Sequence, residues 1–126
     1  MQIIDAFCVV GKSGRDSIDP DELLKSMDEN DIEKSIIYPQ DPWTAVYNAE
    51  GHDYLADTYK RHPDRFYRFA VANPWFGKKS VLELIERLKE GFNGVYFKST
   101  VQGFVINDEI VYPLIEQCVE FDVPVY

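Results

Sequence analysis

Apolar and polar positions alternate along this chain in blocks that switch between strand and helix spacing about every thirty residues. Gln2 to Phe7, with Ile3 and Ile4, predicts a first strand, and Val9-Val10 leads into a Gly11-Lys12-Ser13-Gly14 loop. Asp19-Pro20-Asp21-Glu22 predicts a helix start: an Asp cap, Pro at the first helical position, and acids at the positive helix end. Leu23, Leu24 and Met27 form that helix's apolar stripe, and Ser35 to Tyr38 predicts a second strand ended by Pro39 and Pro42. A second helix is expected from Asn48, carrying Tyr54, Leu55, Thr58 and Tyr59 and closing at His62-Pro63-Asp64. Phe66 to Val71 predicts strand three, followed by an Asn73-to-Gly77 loop and a helix over Val81 to Glu90 that Ser80 caps and Gly91 terminates. Gly94 to Lys98 predicts strand four and Ser99 to Ile106 a loop. A last helix starts at Asn107-Asp108, with Val111, Leu114, Ile115 and Val119 buried. Val123 onward reads as a fifth strand.

Alternating β and α elements with an apolar strand in each unit imply an α/β fold with a parallel sheet and right-handed crossovers. Nothing marks an internal boundary, so one domain is expected over residues 1–126. Val123-Pro124-Val125-Tyr126 lies in mid-pattern, with no covering helix behind it. Two completions fit: an open doubly wound sheet, or the first half of a (β/α)8 barrel cut inside its fifth strand.

Composition narrows the partners. The formal net charge of −9 argues against nucleic acid, which needs a basic face, and against an anionic membrane. Cys8 and Cys118 are too few and too far apart for a disulfide framework or zinc knuckle, so both are expected as buried free thiols. The N-terminus lacks a signal-peptide pattern, no stretch approaches the roughly eighteen apolar residues of a membrane span, and no Asn-x-Ser/Thr acceptor occurs. A cytoplasmic location is the expectation.

Several segments together carry a family resemblance. Ile3-Ile4-Asp5-Ala6-Phe7-Cys8-Val9 resembles the opening Ile-Asp-Ala-His-x-His of the amidohydrolase-related family, metal-dependent hydrolases and decarboxylases built on a TIM barrel. Leu23-Leu24 through Ser35 is similar to that family's first helix and second strand. His62-Pro63-Asp64-Arg65-Phe66 with Ala70 to Pro74 is similar to its third strand, and Gly91-Phe92-Asn93-Gly94-Val95 to its run into the fourth. Tyr112-Pro113-Leu114-Ile115-Glu116 and Val123-Pro124-Val125 resemble its fourth helix and fifth strand, so the likeness spans nearly the whole chain. It implies the N-terminal half of a TIM-like barrel, about four βα units plus a fifth strand.

The departures bear on chemistry. In that family two histidines at the end of strand one hold a divalent metal such as zinc, because alternate residues of a strand point the same way. Phe7 and Val9 stand at those positions here, and neither has a lone pair to give. The family's next histidine ligand would follow strand five, beyond Tyr126. Lys98 takes the place where some relatives carboxylate a lysine as a bridging ligand, although no histidines accompany it. The resemblance therefore implies a degenerate metal site, with no metal or other cofactor held by these residues.

Gly11-Lys12-Ser13 does not complete a phosphate loop, since position 6 is Ala and no helix begins at once. His52 and His62, the two histidines, are expected in capping or surface roles, and no Ser-His-Asp spacing is recognisable. Asp19 to Glu22 and Asp28 to Glu33 miss the EF-hand pattern and read as solvated helix faces. The barrel rule places any ligand at the C-terminal ends of the strands, among Phe7, Val9, Gln40 and Ser99 and the pocket candidates Asp41, Trp43, Asn73, Trp75 and Lys98. There Phe7, Trp43 and Trp75 would form an aromatic floor under a small molecule, with Asp41, Asn73 and Lys98 orienting its polar group. A plain hydrophobic plug over the half-barrel is the alternative.

The expected function is that of an amidohydrolase-like chain of the hydrolase/decarboxylase class, inactive by itself because metal ligands are missing. Another class is a non-catalytic binding or assembly module, whose half-barrel closes on a second copy or on a missing C-terminal half by pairing open sheet edges. A flavodoxin-like sheet is a third, opposed by the lack of a phosphate loop after the first strand.

Overall fold

A computed structural model describes residues 1–12 and 15–126. Ser13 and Gly14 of the first predicted loop lie outside the described residues. The elements run β1 (Ile4–Val10), α1 (Pro20–Glu29), β2 (Lys34–Pro39), α2 (Asp41–Ala45), α3 (Asn48–Arg61), β3 (Phe66–Val71), α4 (Lys78–Lys89), β4 (Gly94–Tyr96), α5 (Ser99–Gln102) and α6 (Tyr112–Glu120). Single 3-10 turns at Pro74–Phe76 and Glu109–Val111 lead into α4 and α6.

The strands form one parallel sheet in the order β1-β2-β3-β4, as βα units require. Period-two alternation divides its side chains. Cys8, Val10, Ile37, Phe66, Ala70 and Val95 pack into the main core with Leu23 and Met27 of α1, Leu55 of α3, and Leu84 and Leu88 of α4. Tyr38, Phe69, Val71 and Tyr96 cluster apart from that core, with Val9 and Ile36 against them. Both faces of the middle strands are thus apolar, as in sheets covered on two sides.

β1 runs three residues beyond the expected Phe7, because Cys8 and Val10 continue the buried alternation. Its register against β2 slips between Asp5 and Cys8. The fifth strand is present as a beginning. Val95 N–H donates to the Pro124 carbonyl (3.0 Å), Tyr126 N–H to Val95 (2.9 Å) and Phe97 N–H to Tyr126 (3.0 Å), continuing the parallel ladder beside β4.

Curvature follows from one distance. The β1 and fifth strands stand four strand spacings apart, about 19 Å on a flat sheet. Yet the Phe7 and Tyr126 ring centroids lie 5.5 Å apart and nearly parallel. The sheet curls inward, as a barrel wall does, and the fold is an α/β partial barrel.

Several local expectations are corrected. Ser80 does not cap α4: the cap is Gly77, whose φ of 55° and ψ of −131° turn the Pro74–Phe76 segment directly into the helix, leaving Ser80 inside it and buried. The segments after β2 and β4, read as loops, contain the short helices α2 and α5. In α6 the buried positions are Leu114 and Cys118, and Val119 is 76% exposed, because the 3-10 turn before Tyr112 rotates the helix relative to the expected stripe. The Asp19 cap of α1 stands as read, its carboxylate accepting from the N–H groups of Asp21 and Glu22. Gly91 ends α4 at a φ of 99°.

Candidate functional site

The C-terminal ends of the strands bring Asp41 and Lys98 together. Lys98 Nζ lies 2.7 Å from Asp41 Oδ1, joining the end of β4 to the first turn of α2, each side chain about one-third exposed. Asp41 also sits favourably at the positive end of its short helix. Asn73 lies nearby in connectivity but is fully engaged. Its Nδ2 donates to the Ala45 carbonyl (2.6 Å), its Oδ1 accepts Trp75 N–H (3.0 Å), and its own N–H donates to Asn48 Oδ1 (3.1 Å).

The two tryptophans do not share a floor with Phe7. Trp43 packs its ring on Tyr54 at 4.8 Å, and Trp75 is exposed while its indole N–H donates to the Gly103 carbonyl (2.9 Å). Gln40 is buried, and its Oε1 accepts Lys12 N–H (2.7 Å). The Ser99 carbonyl accepts from Gly103 N–H within the α5 turn.

Phe7 instead enters a cluster of tyrosines. Its ring lies 4.7 Å from Tyr38, 5.8 Å from Tyr96 and 5.5 Å from Tyr126, and Tyr38 lies 4.8 Å from Tyr96 and 5.3 Å from Phe69. Tilted and edge-on geometries of this kind suit ring quadrupoles. The Tyr38 hydroxyl donates to the Ala6 carbonyl (3.0 Å), tying β2 to the irregular part of β1. Burial pushes the Tyr38 phenol well above its usual range and the Tyr96 phenol up to about 12. Neither is poised as an acid or base near neutral pH.

Two polar clusters were invisible to spacing arguments. Gln102 is buried, and its Nε2 donates to both the Thr44 and Ala72 carbonyls (3.0 Å each) while its Oε1 accepts Lys98 N–H (2.9 Å). His52 is corrected from a capping or surface role to a fully buried one. Its Nε2 accepts Val71 N–H (2.9 Å), which places the proton on Nδ1, facing Glu83 Oε1 at 2.9 Å. Burial lowers the His52 pKa, and the His52 and Arg87 hydrogen bonds hold Glu83 down to about 2. Arg87 carries the network on to Asp53 (2.8 Å). His62 closes α3 as expected, its N–H donating to the Thr58 and Tyr59 carbonyls.

A curled parallel sheet with polar groups at its strand ends is shared by many barrels, and comparison with known proteins decides among them. The family profile described as Amidohydrolase matches residues 17–126. The chain belongs to the amidohydrolase family. Among solved structures it is similar to 5-carboxyvanillate decarboxylase from Novosphingobium aromaticivorans, crystallised with manganese, at 27% identity and a TM-score of 0.74 over 83% of this chain and 33% of that one. It is also similar to 5-carboxyvanillate decarboxylase from Sphingomonas paucimobilis (16%, TM-score 0.82, 99% and 51%) and to 2,6-dihydroxybenzoate decarboxylase from Rhizobium (21%, TM-score 0.79, 100% and 49%). The chain spans about a third to a half of the length of these structures. No curated protein matches it.

The Phe7 ring is in contact distance of three tyrosine rings. Among the described residues no group of three His, Cys, Asp or Glu side chains is placed to hold a metal ion. Lys98 is paired with Asp41.

Proposed function

We propose that this chain is the N-terminal half of an amidohydrolase barrel whose strand-one seat is filled by an aromatic plug. On this reading the chain contributes scaffold to the hydrolase/decarboxylase class and does not by itself carry metal-dependent chemistry. The observation that supports it is the Phe7 ring within 6 Å of the Tyr38, Tyr96 and Tyr126 rings, at the position where a metal-ligating imidazole would stand. Asp41, Lys98 and Trp75 are the pocket candidates in reach of solvent, while Asn73 and Trp43 are held in contacts of their own. Titration calorimetry of the chain with Mn²⁺ and Zn²⁺ tests the reading. Absence of a site tighter than about 100 μM is expected, and a stoichiometric metal would overturn it.

A second reading, favoured by the bare outer edge of β1, is that the half-barrel is closed by another segment. Ile4 and Phe7 on β1 and Val125 and Tyr126 on the fifth strand are all more than two-fifths exposed, an apolar rim that invites pairing. The occupant is a second copy or the C-terminal half of the barrel. Pro124 to Tyr126 cover the edge of β4, so the edges open to a second copy are those of β1 and of the fifth strand itself. Light scattering on the chain tests the second-copy form, and a monomer at micromolar concentration would rule it out. Buried reduced thiols at Cys8 and Cys118 accord with a reducing compartment such as the cytoplasm. No described helix is long and apolar enough to cross a membrane.

A further inference from the structure

A groove of about 870 Å³ lies on the outer helical layer, between the first turns of α3 and α4 and away from the barrel interior. Val46, Tyr47, Phe76 and Leu82 line it, and all four are exposed. Single exposed apolar side chains are ordinary, but four sharing one concave surface mark a place for a partner. Leu82 shows where its centre lies. Leu84 and Leu88 of α4 face the core, while Leu82 stands 53% exposed on the opposite, outward side of the helix.

Charge indicates which partner fits. Lys78, Lys79, Glu50 and Glu86 line the same groove, all exposed, and none has an ion-pair partner among the described residues. Glu83, the remaining carboxylate, is held by His52 and Arg87. The free charges are thus two of each sign, on a chain whose net charge is −9. Two such chains repel each other, so a contact between copies needs a locally balanced surface, which this groove offers. The order of the charges matters as much as their number. Lys78, Leu82 and Glu86 follow at i, i+4 and i+8 on one helix face, the two charges each about 6 Å along the axis from the leucine. Turned about a two-fold axis at Leu82, this stripe is its own complement. An antiparallel copy sets Lys78 against Glu86 of the partner subunit, and the same pair recurs on the other side of the axis. The lysines also stand at the positive end of α4, where acids are favoured, and a glutamate from the second copy supplies the missing negative charge.

We propose that α4 is the contact helix of a two-fold dimer of this chain, with Leu82 of each copy seated against Tyr47 and Phe76 of the other and Lys78 paired with Glu86 across the axis. Packed helices lie about 8–10 Å apart, within reach of a lysine and a glutamate side chain. The contact uses the outer helices and leaves the sheet edges free, so it is separate from closure of the half-barrel along β1 or the fifth strand.

Sedimentation velocity on the full chain, from about 1 to 200 μM, reads the association, and a monomer–dimer equilibrium is expected within that range. Leu82→Glu should keep the native far-ultraviolet circular dichroism, because the site is exposed and Glu is a good helix former. It should raise the dimer Kd at least about tenfold, since two carboxylates then meet on the axis. Lys78→Glu and Glu86→Lys, each counted twice in the dimer, should each weaken it by about threefold or more. The charge-swapped double variant Lys78→Glu, Glu86→Lys should return to within about twofold of the native Kd, which a merely structural role for either residue would not produce. Ile4→Lys, on the β1 edge, should leave the dimer unchanged. A monomer throughout the range, a dimer that Leu82→Glu leaves intact, or a double variant no tighter than the single ones would each overturn the proposal. A dimer lost in Ile4→Lys and kept in Leu82→Glu would overturn it in favour of pairing at the sheet edge.

Discussion

Replacing His52 by Leu isolates the value of one buried imidazole. Leu is of comparable bulk, so the packing against Phe92, whose ring centroid is 5.5 Å away, is largely kept. Two hydrogen bonds go. The first is the acceptor of Val71 N–H, at 2.9 Å and buried; leaving that amide without a partner costs about 1–3 kcal/mol. The second is the donor to Glu83, which keeps Arg87 at 2.7 Å and part of its solvent, so its loss is closer to about 0.5–1 kcal/mol. A net loss of about 1.5–4 kcal/mol is expected, read from urea melts at pH 7 by far-UV circular dichroism. His52→Gln, which retains an acceptor, should recover part of it. A His52→Leu variant within about 0.5 kcal/mol of the native chain would refute the reasoning. The pH dependence gives a second check. Both His52 and Glu83 have lowered pKa values when folded, so the unfolded chain binds more protons. Stability from His52 is full above its ordinary value of 6.5 and falls as pH drops below it, while that from Glu83 is full above 4.5 and is lost as pH falls to about 2. Native stability should therefore decline on acidification from pH 7, and His52→Leu should flatten the upper part of that decline.

Two further outcomes follow from packing. Gly94→Ala puts a methyl group 2.5 Å from the Phe69 ring, a clash inside the sheet that should cost about 1–3 kcal/mol in urea melts; an unchanged midpoint would contradict it. Burial raises the Cys8 thiol to about 12 and the Cys118 thiol to about 11, so neither should react with a disulfide reagent at pH 8 until denaturant is added. Rapid labelling of either in the native chain would count against the buried placements.

Regular spacing made the fold readable. The β2, β3, α1 and α3 segments follow their apolar periods and their Asp19 and His62 ends closely, because there local preference and tertiary packing agree. Ser80 misled because a Ser before an apolar run looks like a cap, while the decisive element is the positive φ of Gly77, which carries no side-chain signature of its role. Val119 misled because a 3-10 turn has three residues per turn and rotates the following helix out of an α-helical count. At the strand ends, Asp41 and Lys98 lie 57 residues apart in sequence and nothing local pairs them, although both were picked out by the barrel rule. Gln102 and His52 were missed for a different reason. Gln102 bonds backbone groups, which sequence does not display, and His52 bonds one backbone amide and Glu83, 31 residues away. Tyr38 and Tyr96, by contrast, were legible in principle, since each sits one residue from a helix-facing residue, Ile37 and Val95, and so had to face the other way.

The contact between Phe7 and Tyr126 joins residues at opposite ends of the chain, and it has a kinetic consequence. Closing a loop of nearly the full chain length is entropically expensive until the intervening βα units have condensed. The β1–β2 and β2–β3 ladders link nearer segments and can form before it. The aromatic plug is thus a late event in folding. Near-ultraviolet circular dichroism from its tyrosines should lag the far-ultraviolet signal of the sheet during refolding, which makes this small cluster a timer for completion of the wall that carries it.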